Sequence, residues 1–155
     1  MTGSILTVLV PAYNSLDGVA RVIDALKSRK NVGVIVSDDS SDAVVADAIK
    51  AYIVDFKRSD YSYIKHESTG NAVDNWNSLL SQVESKFFVL VHHDETFSNT
   101  LFIDEVEKYQ DSLELMVLPV RIEHPNGIYR NVKSSAQSLL INLFRTRSPI
   151  LNFIG

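Results

Sequence analysis

The chain has 155 residues, of which 45% are hydrophobic and 22% charged, with a formal net charge of −4. That length predicts one domain, and the composition excludes a disordered, collagenous or coiled-coil chain. There are no cysteines, so disulfides, thiolate-ligated metals and thiol catalysis are excluded; no apolar run reaches the ~18 residues of a membrane span, and the opening Met-Thr-Gly-Ser has no leader character, all of which fits a cytoplasmic protein. Ile5–Val10 is a β-branched apolar run that predicts a buried strand ending at Pro11. Asn14, Ser15 and Asp17 offer N-cap oxygens, and Val19, Val22, Ile23 and Leu26 follow on one helical face. Arg29 and Lys30 fall where a helix C-terminus favours cations. Val32–Val36 predicts a second buried strand, stopped by Ser37-Asp38-Asp39-Ser40-Ser41-Asp42.

Asp42 can cap a second helix bearing Val45, Ala48, Ile49, Tyr52 and Phe56. Tyr61–Lys65 reads as a weaker third strand, and Ser68–Asn71 as a turn. Val73, Trp76, Leu80 and Val83 mark a third helix, with Trp76 on its core face. Phe87–Val91 is the most strand-like run and ends at His92-His93-Asp94-Glu95. Phe102, Val106 and Tyr109 suggest a fourth helix. Leu115–Ile122 reads as a strand that tolerates Pro119 only at an edge or bulge. Pro125-Asn126-Gly127 is a turn signal from which Ile128–Val132 returns as a hairpin, and Ser134–Phe144 is helix-like.

Strands alternating with helices predict an α/β fold: a mostly parallel central sheet with helices on both faces. Ligands then bind beyond the carboxyl ends of the strands, and the polar clusters of this sequence fall there. Neither Gly-x-Gly-x-x-Gly nor Gly-x-x-x-x-Gly-Lys-Ser/Thr occurs, so a dinucleotide Rossmann site and a P-loop are unsupported. A nucleotidyltransferase is opposed by the lack of a Gly-rich basic loop after the first strand. Tyr13 supplies a flat face for a base, or is an ordinary loop tyrosine. Asp39, beside Asp38, can accept a hydrogen bond from a base N–H, whereas Ser41 and Asp42 read as helix caps. His92–Glu95 places oxygen ligands suited to Mg²⁺ or Mn²⁺ at a strand end. His66 and His124 lack the spacing of a histidine-ligated metal site. Asn71, Asp74, Asn75 and Asn77 crowd one helix start, as caps and a solvated face or as ligand contacts.

Together, Thr7–Asn14, Val34–Asp42, Gly70–Leu80 and Phe87–Glu95 resemble a family-2 inverting glycosyltransferase of the GT-A fold. The resemblance implies a Rossmann-like nucleotide-sugar-binding domain over 1–155, without the C-terminal acceptor-binding part. Its reaction is transfer of a sugar from a nucleotide-diphosphate sugar, a UDP-sugar above all, to a glycan or lipid-linked acceptor. Carried over by position, Pro11, Ala12, Tyr13, Asn14, Asp38 and Asp39 line the nucleotide, with Tyr13 near the base and Asp39 on its ring nitrogen. Gly70 and Asn77 fall in the donor-side segment. Asp94 contacts ribose or metal, and Glu95 the Mg²⁺ or Mn²⁺. His92 stands where the family's acidic motif begins, and Glu95 replaces its last Asp. After Glu114 the only carboxylate is Glu123, which does not match the family's general base, so a donor-binding module without turnover is the alternative.

Charge is uneven. Residues 1–114 hold 10 Lys/Arg against 18 Asp/Glu, whereas 115–155 hold Arg121, Arg130, Lys133, Arg145 and Arg147 against Glu123. Overall acidity argues against nucleic-acid binding. The basic segment is either a solvated face or a contact for phosphate or the anionic inner face of a membrane. Apolar residues concentrated from Leu139 to Phe153 predict self-association into a homo-oligomer.

Overall fold

A computed structural model of the protein describes residues 3–66, 71–118, 120–123, 129–132 and 142–145. The elements run β1 (Leu6–Ala12), α1 (Leu16–Leu26), β2 (Val32–Asp38), α2 (Ala43–Asp55), β3 (Tyr61–Lys65), α3 (Ala72–Ser81), β4 (Phe87–Leu90), α4 (Leu101–Tyr109), β5 (Leu115–Val117), β6 (Val120–Glu123), β7 (Tyr129–Val132) and β8 (Asn142–Arg145). Six strands form one sheet in the order β3-β2-β1-β4-β8-β5. β1 lies parallel to β2 and β4, and β2 parallel to β3. β8 runs antiparallel to both β4 and β5, so β5 shares the direction of the first four strands. The expected mostly parallel α/β sheet is what forms.

Strand alternation sorts the core into two layers. Leu6, Val8 and Val10 of β1, Val34 and Val36 of β2 and Phe87 and Val89 of β4 pack with α1, α2 and α4, through Val19, Ile23, Ile49, Ile103 and Val106. Leu9, Ile35 and Leu90 point the other way, against Leu79, Trp76 and Leu80 of α3. Every residue of β1 and β2 is buried, as a strand covered on both faces requires. Burying each such Val, Leu or Ile contributes about 1.5–3 kcal/mol.

Several details differ from the sequence expectation, and β2 runs on through Ser37 to Asp38. β1 continues through Pro11 to Ala12. The Leu9 carbonyl accepts from Val91 N–H, so Pro11, two residues on, turns its missing donor toward β4 beyond the end of that ladder, where none is needed. The single strand expected over 115–122 is two: β5 pairs with β8, while β6 pairs with β7 in the expected hairpin. A proline between them cannot donate to a continuing ladder. Asn142–Phe144, the end of the expected Ser134–Phe144 helix, instead lies in strand β8 with a ladder on each side, and such pairing outweighs weak helical periodicity. Finally, α1 ends at Leu26, so Arg29 is not in its last turn. Instead its guanidinium reaches α4, donating to Thr100 Oγ1 at 3.0 Å and pairing with Asp104. The rest of 133–155 and Gly70 lie outside the described residues, so the apolar 139–153 surface is not described. Among the described residues no helix is long and apolar enough to cross a membrane.

Candidate functional site

The register sets Ala12 beside Asp38 and Asp38 beside Lys65, while Leu9 sits beside Leu90. The chain leaving β1, β2, β3 and β4 therefore emerges along one sheet edge. The first two exits are tied together. Asp39 N–H donates to the Ala12 carbonyl at 2.9 Å, and Asn14 N–H to Ser40 Oγ at 2.7 Å. The Asn14 amide spans the gap: Nδ2 donates to Ser41 Oγ at 3.1 Å, and Oδ1 accepts from Asp42 N–H at 3.1 Å. Asn14 holds φ 47°, a left-handed conformation that asparagine tolerates better than most residues. Ser15, not Asn14, caps α1, accepting from Gly18 N–H. Tyr13 is 49% exposed at the edge, its hydroxyl 3.2 Å from Ser41 Oγ. Asp42 caps α2 as expected, accepting from Val44 and Val45 N–H.

The two paired carboxylates after β2 separate. Asp38 is fully buried, and its oxygens are used inside the protein. One accepts from Ser40 N–H at 2.9 Å and from the Ser40 hydroxyl; the other accepts from Tyr63 Oη at 2.8 Å, with Lys65 Nζ 3.9 Å away. Burial first, and then the bond to Asp38, push the Tyr63 phenol far above its ordinary pKa, so it stays protonated and donates. The side chain of Asp38, expected on the nucleotide, is thus buried and engaged within the loop. The Asp39 side chain is 10% exposed and sits against His66, Nδ1 to Oδ1 3.4 Å. Lys65 Nζ donates to the Ser40 carbonyl at 2.6 Å and the Asp38 carbonyl at 3.2 Å, completing a frame in which β3 supports the loop.

Beyond β4 the chain turns at once. His92 N–H donates to Glu95 Oε2 at 2.9 Å, and Glu95 N–H to the His92 carbonyl at 3.0 Å. The His92 ring meets Trp76 edge to face, centroids 5.1 Å apart, which places the first position of this motif against α3. His93 Nδ1 lies 3.2 Å from the Pro11 carbonyl, so that nitrogen carries the proton and ties the turn to β1. Asp94 is exposed and Glu95 half-buried. Among the described residues no three His, Asp or Glu side chains converge on a metal position. The available donors are hard carboxylate oxygens, with Asp94 open and Glu95 partly engaged. That donor chemistry fits a hard cation such as Mg²⁺ or Mn²⁺.

In α3, Asn71 is the N-cap, accepting from Val73 N–H. Asn75 is buried beneath the edge, Nδ2 donating to the Ser37 carbonyl at 3.3 Å. Asn77 is half-buried, and its Oδ1 has no partner among the described residues. Trp76 packs against the second core layer.

Sequence reasoning passed over four contributors. Gly18 lies in the first turn of α1 so close to the β4 exit that a Cβ there would sit 2.0 Å from the His93 carbonyl oxygen. Tyr63 and Lys65 face the Asp38 loop, and His66, considered earlier only as a metal ligand, faces Asp39. None has a local signature. Only the period of two in β3, which points Tyr63 and Lys65 to one face, hints at a shared target.

The glycosyl transferase family 2 profile matches residues 7–154. The chain belongs to this family. Solved structures agree on the fold. S. aureus TarS 1-349 superposes with a TM-score of 0.66 at 19% identity, over 91% of this chain and 47% of that one. The same protein in complex with UDP-GlcNAc gives 0.66 at 21%, over 91% and 45%. Mannosyltransferase PcManGT from Pyrobaculum calidifontis, in complex with GDP-Man and Mn²⁺, gives 0.61 at 15%, over 79% and 36%. The family-2 chain thus spans less than half the length of these proteins and shares their GT-A architecture. No curated protein sequence matches it.

Proposed function

We propose that this family-2 chain carries the donor site of an inverting glycosyltransferase. It would move a sugar from a nucleotide-diphosphate sugar, a UDP-sugar, to a glycan or lipid-linked acceptor, assisted by Mg²⁺ or Mn²⁺. One observation carries the reading: an exposed tyrosine, a nine-tenths-buried carboxylate, and an open carboxylate beside a partly engaged one share one sheet edge. Tyr13 gives the base a face to stack on, and Pro11 and Ala12 form the floor beneath it. Asp39 accepts from a ring N–H, while Asn14 and Asp38 shape the loops. Asp94 and Glu95 would hold the cation, which when bound neutralises the departing diphosphate. TarS crystallised with UDP-GlcNAc and PcManGT with GDP-Man and Mn²⁺ support donors of this class. In the transfer, the acceptor oxygen bonds to the anomeric carbon as the bond to phosphate breaks on the opposite side. The acceptor proton goes to a base and the nucleoside diphosphate leaves.

Donor binding without turnover is the second reading. Its support is the scarcity of carboxylates after Glu114, where only Glu123 remains to act as a base. Calorimetric titration with UDP, GDP, CDP and dTDP, with and without Mn²⁺, tests both. UDP should bind, and more tightly with Mn²⁺; binding of none of them would overturn both readings. Release of UDP from a UDP-sugar in the presence of acceptor then supports transfer, whereas binding without release leaves the second reading. The basic 115–155 segment would rest on an anionic inner membrane face in the cytoplasm, which co-sedimentation with vesicles containing phosphatidylserine checks. Self-association through 139–153 would appear as a dimer or larger species in light scattering, and a monodisperse monomer would refute it.

A further inference from the structure

We propose that His66 is a positioning residue that makes Asp39 discriminate between pyrimidine bases, favouring one with a ring imino N–H over cytosine. The inference rests on the donor-site reading above. β3 and its exit send three side chains to the loop after β2. Tyr63 and Lys65 go to Asp38 and to the carbonyls of Asp38 and Ser40, groups that face inward. His66 alone goes to Asp39, its Nδ1 3.4 Å from Oδ1, with the two side chains 17% and 10% exposed. The Asp39 backbone is already fixed by its bond to the Ala12 carbonyl, and that of His66 by its bond to the Asp38 carbonyl, 2.9 Å each. What remains free is the rotation of the Asp39 carboxylate, and His66 acts on it.

An ionised carboxylate only accepts hydrogen bonds. With Nδ1–H donating to Oδ1, the Asp39 carboxylate is held in one orientation, and Oδ2 takes no hydrogen bond among the described residues. Uracil presents N–H at the ring position where cytosine presents a lone pair. Uracil therefore satisfies the carboxylate, whereas cytosine sets acceptor against acceptor in a site shielded from water. Without His66 the carboxylate can rotate away from the acceptor it would otherwise face. The penalty on cytosine, more than the affinity for uracil, should then fall.

Calorimetry with UDP and CDP on the full chain, in the presence of Mn²⁺, tests this with His66→Ala and His66→Asn. The wild type should prefer UDP by roughly tenfold or more, the factor one well-placed hydrogen bond supplies. His66→Ala should bring the two affinities within about threefold of each other. His66→Asn, whose Nδ2 can donate, should restore most of the preference. Equal weakening of both nucleotides in His66→Ala, or no change in either, would overturn the proposal and leave His66 structural. Wild-type binding of neither nucleotide would defeat the donor-site reading itself. Equal wild-type binding of UDP and CDP would spare that reading and defeat this inference. Should His66→Ala fail to fold, imidazole ¹⁵N shifts of the wild type decide. A proton on Nδ1 that persists with UDP bound supports the proposal, and a bare Nδ1 overturns it.

Discussion

The loop after β2 and the turn after β4 both bring carboxylates to the same sheet edge, and they are built in opposite ways. After β2, Asp38 is enclosed by Ser40, Tyr63 and Lys65, and Asp39 is held from two sides. After β4, one reciprocal pair of bonds between His92 and Glu95 makes the turn, and Asp94 is left in solvent. The first arrangement is pre-organised: Asp38 is fully engaged and Asp39 is held through one oxygen before any ligand arrives, which suits recognition of a neutral base by shape and hydrogen bonding. The second leaves negative charge uncompensated, which suits a cation that arrives with its own anionic ligand. Identical residue types thus serve structure at one strand end and remain available for chemistry at the next, and burial draws the line between them.

The contrast breaks if Asp38 and Asp94 behave alike. Asp38→Ala should cost about 2–4 kcal/mol of folding stability, since it strands the Tyr63 hydroxyl and the Ser40 N–H; urea denaturation measures this. Asp94→Ala should leave the denaturation curve within about 0.5 kcal/mol of the wild type, as an exposed site predicts. Its effect should fall on function instead, with loss of the Mn²⁺-dependent part of UDP binding and about a 100-fold drop in transfer, or ~2.7 kcal/mol. A large stability loss in Asp94→Ala, or a normal melt for Asp38→Ala, would show that burial does not separate the two roles. Gly18→Ala sharpens the same contrast from the β4 side. The added methyl must displace the His93 carbonyl, at a cost of about 1–3 kcal/mol. UDP binding should lose its Mn²⁺ dependence more than its base preference, because the displaced turn carries Asp94 and not Asp39. The ratio of UDP to CDP affinity reads that split.

The fold was legible wherever the hydrophobic period was strong. β1 through β4 and their helices lie where β-branched runs and i, i+3, i+4 spacing put them. Failures came where backbone pairing, not side-chain pattern, decides. Asn142–Phe144 looks helical in isolation and joins strand β8 because β4 and β5 offer it a ladder on either side. At the site, position relative to the strands was legible: Tyr13, Asp39, Asp94 and Glu95 all emerge at the expected edge. The difference between Asp38 and Asp39 was not, because adjacent residues of one type differ only in what the third strand brings against them. Gly18 was invisible for a similar reason: its close neighbour, the His93 carbonyl, is 75 positions away in the chain.

The smallest expected effect tests how far pre-organisation extends. Ser41 Oγ receives the Asn14 amide and touches the Tyr13 hydroxyl, both at exposed positions. Hydrogen bonds exchanged so readily with water contribute little, so Ser41→Ala should change stability by about 0.5 kcal/mol or less. The ring of Tyr13 loses its tether and must be ordered by the base on binding, an entropic cost of around 0.5–1 kcal/mol. UDP affinity should therefore fall by about two- to fivefold, while the preference for UDP over CDP stays unchanged because Asp39 and His66 are untouched. Tyr13→Ala removes the stacking face itself and should weaken both nucleotides further, by ~1–3 kcal/mol. If Ser41→Ala instead altered the UDP to CDP ratio, the base-reading loop would extend past Ser40. The division between a rigid reader after β2 and an adaptable face after β1 would then have to be redrawn.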